Sequence, residues 1–136
     1  MREILFKAKR TDNSEWVEGF YGAFAGKFFI CMYVVEHYCV PALRWFEIDP
    51  ETLCEFAGRC DKNGKRIWEN DILMAHLDES YPENVTYETI EWGFAGWETH
   101  EANSADRQYL DKFDLEHFEV VGNIFDNKEL LQEESE

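Results

Sequence analysis

Apolar and polar residues alternate with a period of two from the start of the chain, the mark of half-buried strands. In residues 3–9, Ile4, Phe6 and Ala8 alternate with Leu5 and Lys7 and predict a first strand. Thr11-Asp12-Asn13-Ser14 is turn chemistry. Residues 15–24 alternate again, with Trp16, Glu18 and Phe20 on one side and Val17, Gly19 and Tyr21 on the other. Ala25-Gly26 turns the chain into 27–35, a nearly unbroken apolar run that predicts a central strand. Residues 42–48 are a further strand, and Asp49-Pro50-Glu51-Thr52 reads as a helix start, with Asp49 as cap and Pro50 at the first helical position. Gly58 follows so closely that the helix must be short.

Asp61-Lys62-Asn63-Gly64 is the strongest local signal and predicts a β-hairpin. A type I turn with Gly64 left-handed and a two-residue type I′ turn at Asn63-Gly64 both fit, and the first is preferred. They differ by one residue in register, which exchanges the faces of Ile67 and Trp68. Asn70 tolerates the positive φ needed before a strand at 72–77. Residues 78–84 read as a polar loop. Strands are expected at 85–92 and 94–100, paired about Gly93. Residues 101–112 read as loop with at most one helical turn. A strand at 118–125 is interrupted by Gly122. Asp126 caps a short helix at 127–131, and 132–136 is a frayed tail. About eight short strands with one or two short helices suit a mainly β barrel or roll better than an α/β fold. The 136 residues make one domain, 1–136.

Charge changes the picture most. Residues 1–66 hold 10 basic and 10 acidic side chains, whereas 67–136 hold 3 and 19, so the formal charge of −16 lies in the second half. That half is a poor match for duplex DNA, whose phosphates need clustered Lys and Arg, and suits either solvent or a basic partner. No apolar run approaches the ~18–20 residues of a membrane helix, and the N-terminus has no signal-peptide pattern. Neither a membrane nor secretion is therefore expected. Cys31, Cys39, Cys54 and Cys60 form no Cys-x-x-Cys pair, and His37 with Cys39 is at most half a metal site, so free thiols and no metal or cofactor are expected.

Chemistry is thin. Glu88 with Glu91, or Glu69 with Asp71, could be written as a glycosidase pair, but nothing around them would raise a carboxyl pKa. No serine sits in a nucleophile elbow and no glycine-rich loop precedes a helix. The reading is non-enzymatic. Trp16, Phe20, Phe28, Phe29, Tyr33, Trp45, Phe46 and Trp68 are expected mostly in the core. Trp92, Phe94 and Trp97, around Gly93 and Gly96, are the candidate exposed binding aromatics.

Three blocks resemble the YopX family of phage and prophage proteins. They are the opening Met1-Arg2-Glu3-Ile4-Leu5-Phe6-Lys7-Ala8, the stretch from Ile48-Asp49-Pro50 through Asp61-Lys62-Asn63-Gly64 to Asn70-Asp71-Ile72, and Val121-Gly122-Asn123-Ile124-Phe125 with the residues up to Leu131. Asn70 stands where the family usually has Gly, Lys128 where Pro is common and Lys9 where an aromatic is frequent. The resemblance implies an SH3-like small barrel or roll and a phage origin. It implies no activity and supplies no catalytic residues. Its shared residues Asp49, Pro50, Gly58, Asp61, Asn63, Gly64, Ile67, Asp71, Ile72, Gly122 and Asn123 have structural accounts as caps, turns and packing positions.

The functional expectation is a small protein-interaction module of the bacterial host cytoplasm. Its acidic half, with Glu116 and Glu119 as contact points, would meet a basic host or phage protein. The alternative is a single-stranded nucleic-acid accessory module using the neutral half and Arg59, Lys62, Lys65 and Arg66 at the hairpin. An exposed β-edge could pair two copies, so a homo-oligomer is open but not predicted.

Overall fold

The structure, a computed structural model, describes residues 4–35, 41–76, 85–93, 96–101, 107–109 and 117–131. The chain forms two units, Met1–Phe56 and Ala57–Glu136.

In the first unit, local alternation builds an antiparallel meander of β1 (Phe6–Lys9), β2 (Trp16–Phe24), β3 (Lys27–Val35) and β4 (Pro41–Glu47). Ala25 and Gly26 both have positive φ (53° and 78°), the requirement of a type I′ turn, whose twist matches the nine-residue strands it joins. Ala8 pairs with Val17 across β1 and β2, and Ile30 with Phe46 across β3 and β4. These positions share the inner face. Ala8, Val17, Ile30 and Ile48 are its buried core, ringed by Phe6, Tyr21, Phe28, Met32, Phe46 and Leu53. A lone bridge between Arg10 and Ile48 joins the ends of β1 and β4 at one point.

Asp49 caps a 3₁₀ turn at Pro50–Thr52, its Oδ1 accepting from the Glu51 N–H at 3.0 Å. The Thr52 hydroxyl donates to the Asp49 carbonyl and accepts from the Lys9 N–H, tying the turn to β1. β5 (Cys54–Cys60) then pairs with β1.

The second unit takes in the end of β5, β6 (Arg66–Trp68), β7 (Asp71–His76), β8 (Val85–Trp92), β9 (Trp97–Glu101), β10 (Arg107–Tyr109) and β11 (Glu119–Asn123). Ala57, Ile67, Leu73, Ile90, Phe118 and Val120 form its core. Among the turn residues of the β5–β6 hairpin only Gly64 has positive φ, at 80°, and its N–H donates to the Asp61 carbonyl. This is the type I reading with Gly64 left-handed, and it leaves Ile67 and Trp68 both buried. Asn70 takes the positive φ (69°) that lets the chain re-enter as β7. The register of β11 on β7 shifts between Val120 and Gly122, a bulge where the sequence shows a strand interrupted by glycine.

The expected SH3-like barrel or roll is corrected. The strands lie in two open sheets, ordered β4-β3-β2-β1-β5-β6 and β10-β9-β8-β7-β11. One isolated bridge cannot replace the ladder a barrel needs along its seam. The expected short helices are 3₁₀ turns, at Pro50–Thr52 and Lys128–Leu131, because each segment is too brief for a cooperative α-helix. Among the described residues there are eleven strands rather than about eight, and Arg107–Tyr109, read as loop, is an edge strand on β9. The loop at 78–84, the tail at 132–136, Phe94, Glu116 and the His37 and Cys39 pair lie outside the described residues. Among the described residues, Cys31, Cys54 and Cys60 take part in no disulfide. Among the described residues no helix is long and apolar enough to cross a membrane, and no three His, Cys, Asp or Glu side chains are grouped to hold a metal ion.

Candidate interaction surface

The period-two rule that buries Ile30 and Val17 sends their neighbours outward. The register aligns Phe20 with Cys31 and Trp45, Gly22 with Phe29 and Glu47, and Tyr33 with Leu43. These residues, with Phe24 and Val35, form the outer face of β2–β3–β4. Phe20, Phe24, Tyr33, Val35, Leu43 and Trp45 are between 55% and 78% exposed. An outer sheet face is normally polar. This one is aromatic and aliphatic, because 27–35 is apolar at nearly every position. The expectation that these aromatics lie mostly in the core is therefore corrected at Phe20, Tyr33 and Trp45, while Trp68 is buried and Phe28 and Phe46 pack on the core as half-buried residues.

Shape within the face comes from Gly22. Any Cβ there would meet the Trp45 ring at 3.1 Å, so glycine lets the indole lie across β2. Phe29 meets Trp45 edge-on, with ring centroids 6.4 Å apart. Gly22, Ala23, Phe24, Phe29 and Trp45 line a shallow hollow of about 260 Å³. Cys31, between Phe20 and Trp45 in the register, is covered and buried. Charge on this face is sparse: Glu18, exposed on β2 two residues before Phe20, stands opposite Lys7 of β1. Lys27 and Glu47 pair at 3.6 Å at one end. On β1, Lys7 and Lys9 lie over the Trp16 ring at 4.7 and 5.5 Å.

A second, polar cleft of about 400 Å³ is lined by Lys9, Arg10, Lys27, Glu47, Asp49 and neighbouring turn residues. Its cations are engaged. Arg10 binds Asp12 through two nitrogens and lies over the Phe46 ring, and its hydrogen bond holds the Asp12 carboxyl below the usual carboxylate pKa.

The residues singled out in the sequence fall elsewhere. Trp92 is exposed and meets Trp97 in a T-shape at 5.0 Å, while Trp97 packs on the second core. Glu119 lies 4.0 Å from Lys62. Asp61 is a buried junction: Oδ1 accepts from the Asn63 and Lys65 N–H groups, both at 2.9 Å, and Oδ2 accepts from the Val120 N–H at 2.8 Å. Asp71 is buried and accepts from the Trp68 N–H at 2.8 Å, a structural role at the start of β7. Ile67 and Ile72 are fully buried, Gly58 adopts positive φ (81°), and the Asn123 side chain accepts from the Phe125 and Asp126 N–H groups. Sequence reasoning missed the face on β2–β4. The available signal was that 27–35 is apolar on both of its faces although only one is needed for the core.

The chain is similar in structure to the protein EF1440 from Enterococcus faecalis, with a TM-score of 0.62 at 19% identity, over 97% of this chain and 100% of that one. At that identity the likeness bears on the fold alone. A comparison with curated proteins finds no match. The YopX protein family matches residues 5–132, nearly the full length, taking in the second and third blocks that carry the sequence resemblance and the end of the first. The chain belongs to the YopX family.

Proposed function

We propose that this YopX-family chain is a non-enzymatic protein-interaction module of phage origin that docks protein on the outer face of β2–β3–β4 and acts in the bacterial cytoplasm. The observation that carries the reading is the contiguous apolar face. Applying the exposed fractions to side chains of about 150–250 Å² each gives on the order of 600–900 Å² of apolar surface, above the roughly 300–600 Å² of the largest patch on an ordinary monomer. Leaving that area in water brings no stability, whereas covering it brings roughly 25 cal/mol per Å² before the costs of association. The acidic second half is a separate feature. It suits a basic host or phage protein by charge complementarity.

One observation favours the nucleic-acid reading: Lys7 and Lys9 on Trp16 flank an aromatic sheet, and bases stack on such platforms. Its weakness is phosphate neutralisation. Among the outward positions of β2–β4 the cation is Lys27, which faces Glu47. At the hairpin, Lys62 faces Glu119. Titration of labelled single-stranded DNA at about 50 mM salt, where phosphate contacts dominate, decides between the two. The interaction-module reading expects no saturable binding. Saturable binding lost in Lys7→Glu/Lys9→Glu or Trp45→Ala would replace it with the nucleic-acid reading.

A further inference from the structure

We infer that the outer face of β2–β3–β4 is covered by the same face of a second copy of this chain, in a two-fold symmetric dimer. The inference rests on the interaction-module reading and names the occupant.

Area is the first argument. The 600–900 Å² or so of exposed apolar surface per copy matches the roughly 800 Å² per partner buried in standard stable interfaces. Homodimer interfaces are also the more apolar class, and this face is apolar at Phe20, Phe24, Phe29, Tyr33, Val35, Leu43 and Trp45.

Charge is the second. A basic partner would find two carboxylates on this face, Glu47, which lies 3.6 Å from Lys27, and Glu18, which stands opposite Lys7 in the β1–β2 register. The acidic excess that would attract such a partner belongs to residues 67–136. Two copies of a chain with net charge −16 repel through any acidic surface. They can meet with little of that repulsion on a face whose carboxylates, Glu18 and Glu47, are each matched by a lysine, Lys7 and Lys27. A second copy is thus the occupant for which a contact without net charge is an advantage.

Shape is the third. A two-fold interface must be complementary to itself, so it needs both projections and hollows on one surface. Phe24 projects, 78% exposed, beside the hollow that Gly22 opens under Trp45. The same surface therefore offers an aromatic knob and an apolar recess. Two sheets meeting in this way pack about 10 Å apart, as in a β-sandwich.

Sedimentation velocity and light scattering on the full chain test the inference. The expected species has twice the 16.2 kDa chain mass at about 50 μM, a concentration at which standard interfaces of even micromolar affinity are populated. Tyr33→Lys/Leu43→Lys places like charges on both sides and should raise the dissociation constant at least ~100-fold, with an unchanged circular dichroism spectrum. Tyr33→Lys alone serves if the double variant folds poorly. Trp92→Lys, on an exposed strand residue of the second unit, should leave the dimer intact. A monomeric wild-type chain overturns the inference, as does a dimer indifferent to the lysine substitutions. If the wild type is monomeric but a different purified protein binds it and is displaced by Leu43→Lys, the dimer fails and the interaction-module reading stands. Saturable DNA binding on this face defeats both.

Discussion

Removing the Asp61 carboxylate should unpin β11 from the β5–β6 hairpin. Three backbone N–H groups converge on it, from Asn63, Lys65 and Val120, at 2.8–2.9 Å. The three losses in Asp61→Ala are unequal. Asn63 and Lys65 are exposed, so their N–H groups can turn to water and forfeit only the net value of their bonds. Val120 is buried, so its N–H is left without a partner, at about 1–3 kcal/mol. With about 0.5–1.5 kcal/mol for each exposed bond, the substitution should cost about 4 kcal/mol, within a range of roughly 2–6. That is a large share of the ~5–15 kcal/mol that holds an ordinary domain together, and corresponds to about 10–15 °C in Tm at this chain length. Asp61→Asn keeps one acceptor oxygen but sets an amide NH₂ against one set of donors, so it should cost about 1–2 kcal/mol. Urea unfolding followed by tryptophan fluorescence gives both values, and native-state hydrogen exchange reads the Val120 amide directly. An alanine variant within about 1 kcal/mol of wild type would refute the argument, because no buried N–H can lose its acceptor so cheaply. So would an asparagine variant as unstable as alanine.

Gly64→Val should cost on the order of 1–2 kcal/mol or more, since a β-branched residue resists a φ of 80°, and an unchanged melting temperature would contradict the turn. Added NaCl should raise Tm by a few degrees or so between ~10 and 200 mM, because salt screens repulsion among the 19 acidic side chains of residues 67–136, and a flat or falling Tm would show that this repulsion does not limit stability. Thiol titration of the denatured, unreduced protein should find all four cysteines reactive, and fewer would mean a disulfide or a tightly held ligand.

Much of the strand and turn pattern is legible in the sequence because it is set by local terms. Alternation at 15–24 and the Asp49-Pro50 start act over a few residues. So does the Asp61-to-Gly64 turn, although its residues fit two turn types and the φ of 80° at Gly64 alone decides between them. The charge asymmetry is likewise a property of the sequence alone. What local pattern cannot carry is which face of a strand is covered. The 27–35 run is apolar on both faces, so nothing local says that Ile30 is buried while Tyr33 and Val35 stand in water. That follows from the register with β2 and β4, which assembles side chains 20 or more residues apart into one surface. Asp61 shows the same division. Its turn role is local, but its bond to Val120 spans 59 positions and exists only because β11 passes the hairpin. Openness of the sheets is likewise tertiary, since closure depends on whether strand edges meet along their length, and here a single bridge, Arg10 with Ile48, joins the chain just past the ends of β1 and β4. Periodicity thus determined where the strands are, and the pairing of distant strands decided which of their faces was left for a partner.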